Sequence, residues 1–300
     1  MSAPPVTLVR ACLRDGAGGS PTAVVLEEAP LNLSDAERRR VPVEAGTSHA
    51  VYVRVRPGGT HEPPVVDLRF FTVEGELPAC GHGTVAALAY LASRNGAPGP
   101  YRATLRTARR VFDGWSEPHG AHLAAAFDPG PVELREPTGA ERALALSALG
   151  MEPGESGSDM RVAAMGRERL LVPVPHREAL AALTPDLDRL RDACDRFGLL
   201  GAYVYSPPSP SGSLAARMFA PSIGVPEDIA NANSSACLAA HLAGSGTAEL
   251  TIDMGDALGS PATITAKAHP GSQGPRIQLG GTAQVDLEER EPRGALAANA

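Results

Sequence analysis

The hydrophobic and polar positions divide the chain into many short elements of both kinds. Runs rich in β-branched and aromatic residues predict strands over residues 6–13, 22–26, 50–55, 65–71, 170–174, 202–205, 249–252 and 262–266. Apolar residues at helical spacing predict helices over residues 84–91, 178–183 and 237–242. Another helix is predicted to begin after Ser34, because Ser34 and Glu37 have the spacing of a capping box. Since both element types occur throughout, the pattern predicts an α+β or α/β fold.

Two turns of small polar residues each lead into a helical run rich in alanine and leucine. The first turn spans residues 79–84 and the second spans residues 231–235. Tyr90 after the first turn aligns with His241 after the second, an offset of 151 residues in a chain of 300. This repeat predicts two related halves, with chance likeness between alanine-rich helices as the alternative. A Pro- and Gly-rich stretch predicts the division between an N-terminal half, residues 1–127, and a C-terminal half, residues 128–285, whose last strand could return to the first half. Residues 286–300 are predicted to form a flexible tail.

The composition excludes several classes of function. The hydrophobic fraction is 43%, the charged fraction is 20% and the net charge is −7 without a basic block, so a nucleic-acid partner is not expected. Lys267 is the one lysine, and no glycine run precedes it, which argues against a P-loop and against Schiff-base chemistry. Four widely spaced cysteines without a Cys-x-x-Cys pair are expected to be free thiols: Cys12, Cys80, Cys194 and Cys237.

The chain also shows no sign of membrane attachment or export. No apolar stretch approaches the roughly 18 residues that a membrane span needs. The first six residues lack the basic and apolar segments of a signal peptide. We therefore expect a cytoplasmic protein without a membrane partner.

The two helix starts suit a small carboxylate ligand. A helix N-terminus offers unpaired N–H groups and the positive end of the peptide dipole. Gly81 and Gly83 would let a ligand approach the backbone before the first helix, as would Asn233 and Ser234 before the second. Two such ends facing one another would hold an anion and stabilise an enolate-like charge beside it, which favours proton abstraction and return.

Four segments resemble the signature sequences of the PhzF-like (phenazine-biosynthesis) proteins. They are residues 19–25, 70–84 with the Cys-Gly-His-Gly turn, 217–228 with the Glu-Asp pair, and 254–261. The resemblance implies a diaminopimelate-epimerase-like α+β fold: two pseudo-symmetric halves, each a curled sheet around a central helix, with the site between them. It further implies a homodimer that needs no cofactor and shuttles protons in small amino-acid-derived carboxylates.

This chain departs from the family pattern at three places. The family's proton-shuttling glutamate stands in a Ser-Glu-like pair before a strand, and the match places Ser48 at that glutamate. Asn231 and Asn233 lie in a turn where the family has Ala-Thr-Gly-Ser, and Ser260 replaces an arginine. The anion-binding turns are otherwise retained.

The resemblance also implies roles for individual residues. Asp228 is the candidate acid/base, with complementing a helix dipole as its alternative. His82 is expected to contact substrate, and Cys80 stands where relatives with this fold carry a catalytic thiol, with a structural thiol as its alternative. The substrate-binding candidates are Ser48, His49, Gly81, Gly83, Thr84, Asn231, Asn233 and Ser234.

Histidines raise two further questions. His49 could supply the missing acid/base group, although strand alternation predicts that it faces away if Ser48 faces the site. His119 and His122 form a His-x-x-His, but Pro118 and Gly120 indicate a turn, so no metal site is predicted.

The leading functional hypothesis is an isomerase that moves a proton and a double bond in a small amino-acid-derived carboxylate, in specialised metabolism of the antibiotic type. One alternative is a C–C bond hydrolase acting on a pyrroline carboxylate of an alkylproline-type pathway, with Ser48 positioning a water. Another is an inactive homologue that only binds small anions.

Overall fold

A computed structural model describes residues 5–28, 33–56, 63–96, 99–152, 159–271 and 274–286. The strands are β1 Thr7–Ala11, β2 Ser20–Leu26, β3 His49–Arg56, β4 Val65–Phe71, β5 Glu76–Leu77, β6 Tyr101–Arg106, β7 Val111–His119, β8 His122–Phe127, β9 Glu133–Arg135, β10 Arg161–Met165, β11 Arg167–Pro173, β12 Ala202–Tyr205, β13 Ser213–Ala220, β14 Val225–Asp228, β15 Glu249–Met254, β16 Ala262–His269 and β17 Arg276–Val285. The helices are α1 Asp35–Ala45, α2 Gly81–Asn95, α3 Gly139–Leu149, α4 Arg177–Ala182, α5 Leu187–Phe197 and α6 Ala232–Ala243.

The capping box predicted for the first helix is confirmed. The hydroxyl of Ser34 accepts a hydrogen bond from the Glu37 amide at 3.3 Å, and the Glu37 carboxylate accepts one from the Ser34 amide at 2.7 Å. These bonds satisfy amide groups that would otherwise be unpaired at the helix start. The strand predicted at residues 65–71 is β4, and the helix predicted at 84–91 forms the centre of α2.

The strand pairings repeat along the chain. The pairings among β1 to β8 recur among β10 to β17 in the same order and with the same directions. For example, β4 pairs parallel with β6, and β13 pairs parallel with β15. Helix α2 begins at Gly81 and α6 at Ala232, which preserves the 151-residue offset seen in the sequence. The repeat therefore reflects two pseudo-symmetric halves.

Each half curls its sheet around one buried helix. Helix α2 contacts β1, β2, β3, β6, β7, β8 and β17, and α6 contacts β10, β11, β15, β16 and β17. Every residue of α2 from Gly81 to Leu91 is buried, because strands surround this part of the helix. The α+β fold of the diaminopimelate-epimerase type is therefore confirmed.

The last strand joins the two halves. Strand β17 pairs with β16 of the second run and also with β8 and β1 of the first. The division at residues 127 and 128 stays a prediction, and of the predicted tail only Asp286 lies within the described residues. No helix in the described ranges is long and apolar enough to cross a membrane.

Two of the motif segments contact each other although they are far apart in sequence. The amide of Gly19 donates to the carbonyl of Pro261 at 2.8 Å, and the hydroxyl of Ser260 donates to the carbonyl of Gly19 at 2.7 Å. These bonds connect the early motif, residues 19–25, to the late motif, residues 254–261. Ser260, which replaces an arginine of the family pattern, here holds the main chain.

Candidate active site

The N-terminal ends of the two central helices abut. A Cβ atom placed on Gly81 would lie 2.5 Å from the Cβ of Ala232 and 3.1 Å from the amide nitrogen of Asn233. Carbon atoms in contact normally lie about 3.5–4.0 Å apart, so this approach requires glycine. The positive ends of both helix dipoles therefore point at the same place.

The start of α2 keeps three free N–H groups, whereas one amide at the start of α6 is capped. In α2, Cys80 makes no capping bond with its side chain, and the first backbone bond of the helix runs from the Thr84 amide to the Cys80 carbonyl at 3.0 Å. The amides of Gly81, His82 and Gly83 therefore lie outside the intrahelical ladder. In α6, the Asn231 side chain accepts from the Ser234 amide at 2.9 Å.

A cavity of about 140 Å³ lies at the meeting of the helix ends. Most of the side chains predicted for the site line it, and both halves contribute: His49, Cys80, Gly81, His82, Asp228, Asn231 and Asn233. A larger groove of about 1010 Å³ lies beside Trp115 and Arg276, but none of the predicted site residues lines it. The smaller cavity is the candidate active site.

His82 has a defined orientation and a strongly held proton. Its Nδ1 lies 2.7 Å from the carbonyl oxygen of Ala230, which can only accept, so Nδ1 carries a proton and Nε2 faces the Cys80 sulfur at 3.4 Å. Burial opposes the charge of the ring, but the electrostatic influence of Cys80 and Asp228 and the two hydrogen bonds outweigh it and raise the pKa of His82 to about 9. His82 can therefore act as an imidazolium beside the thiol.

Asp228 is a buried carboxyl group at the end of β14. Its side chain accepts from the Asn231 side-chain amide at 3.0 Å and from the Ala230 amide at 3.4 Å. Burial raises the pKa of Asp228 above its ordinary value, against the opposing effects of His82 and of these hydrogen bonds. A carboxyl group whose pKa lies closer to working pH is a better general acid/base.

The structure reverses the expected orientations of Ser48 and His49. His49 is 3% exposed and lines the cavity, whereas Ser48 is exposed and lies outside the cavity lining. The expectation that Ser48 lines the site was wrong, because β3 begins only at His49 and the bend before it leaves Ser48 exposed. Of these two adjacent residues, His49 is therefore the one whose side chain reaches the cavity.

His49 is held as a neutral imidazole. Its ring packs edge-on to that of His82 with centroids 4.4 Å apart, and its Nδ1 lies 2.9 Å from the Ser48 hydroxyl. Burial and the positive charge of His82 lower the pKa of His49 well below its usual range. Ser48 thus orients His49 from outside the cavity.

The remaining site candidates differ in their access to the cavity. The Thr84 hydroxyl donates to the Cys80 carbonyl at 2.8 Å, and Thr84 lines only a small cavity of about 20 Å³ adjoining the first. Gly83 is buried inside α2, where an added Cβ would lie 3.0 Å from the Cys80 sulfur. The Ser234 hydroxyl lies 3.3 Å from the Arg169 guanidinium.

Sequence reasoning missed Arg169, which lines the cavity and is 2% exposed. It precedes the predicted strand at 170–174 and carries no motif of its own. The available signal was a charged side chain at the start of an otherwise apolar run. The four cysteines are free and buried, as expected.

One group of side chains could hold a metal ion. Ligand atoms of His49, Cys80 and His82 all lie within 4.8 Å of one another. Nitrogen and sulfur donors suit Zn²⁺, and Ser48 and the Ala230 carbonyl hold the outer ring nitrogens as the second shell of a zinc site would. His119 and His122 face each other where β7 meets β8 and are not in this group.

The fold and the cavity together define a class. A cleft between two pseudo-symmetric halves, with helix ends on one side and acid/base side chains around it, is that of isomerases and epimerases with the diaminopimelate-epimerase-like fold. Residues 10–289 match the family model described as phenazine biosynthesis-like protein. The chain belongs to this PhzF family and is an isomerase.

Relatives and solved structures agree with this assignment. The chain is 30% identical over 263 residues to trans-2,3-dihydro-3-hydroxyanthranilate isomerase of Pseudomonas fluorescens, covering 83% of this chain and 85% of that one. A predicted epimerase from Pseudomonas aeruginosa superimposes with a TM-score of 0.79 at 24% identity, covering 96% of this chain and 98% of that one. A probable proline racemase from Agrobacterium radiobacter gives a TM-score of 0.63 at 12% identity, covering 97% and 94%. The last two show the fold alone.

The free energy of unfolding should depend on pH through the ionisation of His82. Its folded pKa of about 9 lies above the ordinary value of 6.5, so protonated His82 stabilises the fold. This contribution is fully present below about pH 6.5 and is lost as the pH rises through about 9. Denaturant unfolding of the wild type and of His82→Gln should show a difference that shrinks across this range. A pH-independent difference would contradict the ionisation described here.

Proposed function

We propose that the protein is a cofactor-independent isomerase that moves a proton and a double bond in a small amino-acid-derived carboxylate, in specialised metabolism of the antibiotic type. The observation that carries this proposal is the abutting of two helix ends beside a cavity that also holds Asp228 and His82. We also propose that the protein is a homodimer, as the family resemblance implies, and that it is located in the cytoplasm.

In the proposed reaction the substrate carboxylate binds at the two helix ends. Asp228 removes a proton from the adjacent carbon, and the electron pair left behind forms the new double bond as the old one shifts. The helix N–H groups stabilise the enolate-like charge during this step. His82 donates a proton to the far carbon through Nε2, which Cys80 keeps oriented. Proton exchange with solvent then returns Asp228 to its ionised form and His82 to the imidazolium.

The relative that acts on trans-2,3-dihydro-3-hydroxyanthranilate supplies a first test substrate. Its name describes an isomerase of a small ring carboxylate, which fits a cavity of about 140 Å³. This chain lacks the family's glutamate at Ser48 and places His49 in the cavity, so we expect a different preferred substrate. A panel of small unsaturated amino-acid-derived carboxylates should therefore accompany the anthranilate derivative.

Heavy water separates the proposed reaction from its competitor. Incubation of each substrate in deuterium oxide should give an unfragmented product that carries deuterium at the reprotonated carbon, as measured by mass spectrometry and NMR. The matched control is Asp192→Asn, which replaces an exposed carboxylate on α5. Its product should carry deuterium like that of the wild type. Product without deuterium throughout the panel would refute the proton shift.

The second candidate is hydrolysis of a C–C bond in a pyrroline carboxylate. His49 favours it, because a neutral imidazole in the cavity could activate a water as a general base. Ser48 cannot position that water from its exposed site, so the role passes to His49. Release of a small acid from the substrate, with uptake of one water, would support this reaction over isomerisation.

An inactive homologue was expected to show a side chain filling the cleft, and the cavity of about 140 Å³ argues against it.

Metal independence gives a further prediction. If Asp228 and His82 transfer the protons without a metal ion, dialysis against a chelator should leave turnover of the identified substrate unchanged. Titration of the dialysed protein with Co²⁺ should give no thiolate-to-metal absorption band. A band that disappears in Cys80→Ser, together with lost turnover after chelation, would instead establish a metal centre.

A further inference from the structure

Arg169 is a buried guanidinium in the cavity wall without an anionic partner. It lies on β11 and is 2% exposed. Its Nη2 donates to the carbonyl of Arg167 at 2.7 Å, its Nη1 donates to the Ser234 hydroxyl at 3.3 Å, and its buried Nε has no hydrogen-bond partner. Among the described residues, no carboxylate oxygen lies within 4.0 Å of a guanidinium nitrogen of Arg169. An unpaired buried charge opposes folding, so this position calls for an anion supplied from outside the chain.

The helix ends can hold a first carboxylate without Arg169. An ionised carboxylate has about four acceptor positions, and the free amides of Gly81, His82 and Gly83 already offer three donors from α2 alone. Helix α6 adds the amides at its own start. The guanidinium is therefore left over when one carboxylate is bound.

A second arginine strengthens the positive field on this side. Arg110 lines the small adjoining cavity together with Cys80 and Asn233, which also line the main cavity. Its Nη1 donates to the carbonyl of Pro129, and the half-buried carboxylate of Asp128 makes its ion pair with Arg276. Burial lowers the pKa of Arg110, and the nearby charge of Arg169 lowers it further. The two guanidiniums thus repel each other across a region that an anion would neutralise.

We propose that Arg169 and the Ser234 hydroxyl form a second anion subsite, so that the substrate is a dianion. One carboxylate binds at the helix ends, and a second acidic group binds to the guanidinium of Arg169, which lines the cavity. This inference rests on the proposed function for the position of the first carboxylate. One water-sized group needs roughly 10–15 Å³ of cavity volume. The cavity of about 140 Å³ therefore limits the ligand to about the size of a dicarboxylic amino acid.

Binding of simple acids tests the subsite without knowledge of the substrate. Isothermal titration with malonate and succinate as dianions, and with acetate and propionate as monoanions, should show tighter binding of the dianions to the wild type. In Arg169→Gln the affinity for the dianions should fall about tenfold or more, because a hydrogen-bonded charge pair is lost. Its affinity for acetate should change by less than about twofold. Arg191→Gln, an exposed change on α5, should bind all four acids like the wild type.

Three results of the binding experiments would each overturn the proposal. These are unchanged dianion binding in Arg169→Gln, an equal loss for acetate and malonate, and no dianion preference in the wild type. Thermal unfolding of Arg169→Gln without ligand shows whether Arg169 has a structural role instead. Removing an unpaired buried charge should keep or raise the unfolding midpoint. A lowered midpoint together with the loss of all binding overturns the subsite. Isotope exchange without dianion preference refutes the subsite alone, and dianion preference without isotope exchange refutes the proposed isomerisation alone.

Discussion

Asp228→Asn should lower kcat by about 10²- to 10⁴-fold, because a positioned general acid/base contributes that much and the amide cannot exchange the proton. The substitution keeps the shape of the side chain and an oxygen that can accept from Asn231. The KM of the substrate should change little, since the helix ends and not Asp228 bind the carboxylate. Steady-state kinetics and loss of deuterium incorporation are the measurements.

The stability of this variant provides its internal control. The folded pKa of Asp228 lies above its ordinary value of 3.8, so the ionised form is disfavoured by folding. Its stabilising contribution is present below about pH 3.8 and is lost as the pH rises through the folded pKa. At neutral pH Asp228→Asn should therefore be as stable as the wild type or more stable, while being far less active. Full activity of this variant beside that of Asp192→Asn would exclude Asp228 as the acid/base.

The fold could be predicted from the sequence where local patterns are strong. The run at residues 65–71 is apolar and β-branched, and it forms β4 with the same bounds. Strands β8 and β17 are among several that the sequence did not predict: β8 is built around three alanines and β17 carries two adjacent glycines, which weaken a strand signal. Long-range pairing stabilises both: β17 contacts β1, β8 and β16, and no local pattern encodes that.

The site divides in the same way between local and long-range information. Cys80, Gly81 and His82 follow from a turn at a helix start, so a continuous motif places them together. Arg169 enters from a different strand, and only the tertiary fold brings it to α6. Ser48 and His49 are adjacent in the sequence, and a shift of one residue along a strand moves every side chain to the opposite face. The motif match could place the pair near the site but could not set its phase.

The contact between the two helix ends sets a strict limit at Gly81. A Cβ there would lie 2.5 Å from the Cβ of Ala232 and 3.2 Å from its Cα, and both belong to a buried helix rather than to a flexible side chain. Neither helix can yield easily, because strands surround α2 and α6 in both halves. The strain must therefore separate the helix ends.

Gly81→Ala should consequently damage stability and activity together. Overpacking of this kind costs about 1–3 kcal/mol of the free energy of unfolding, although alanine is intrinsically the better helix former by about 1 kcal/mol. A shift of roughly 1 Å in the groups that hold a reactant can lower the rate about 10²-fold, so kcat/KM should fall by that order. Gly139→Ala is the matched control, because Gly139 also begins a helix and an added Cβ there meets nothing within 4 Å. Denaturant unfolding and steady-state kinetics of both variants decide the matter. If Gly81→Ala behaves like Gly139→Ala, the two helix ends do not jointly hold the substrate carboxylate, and the amides of one helix alone must account for its binding.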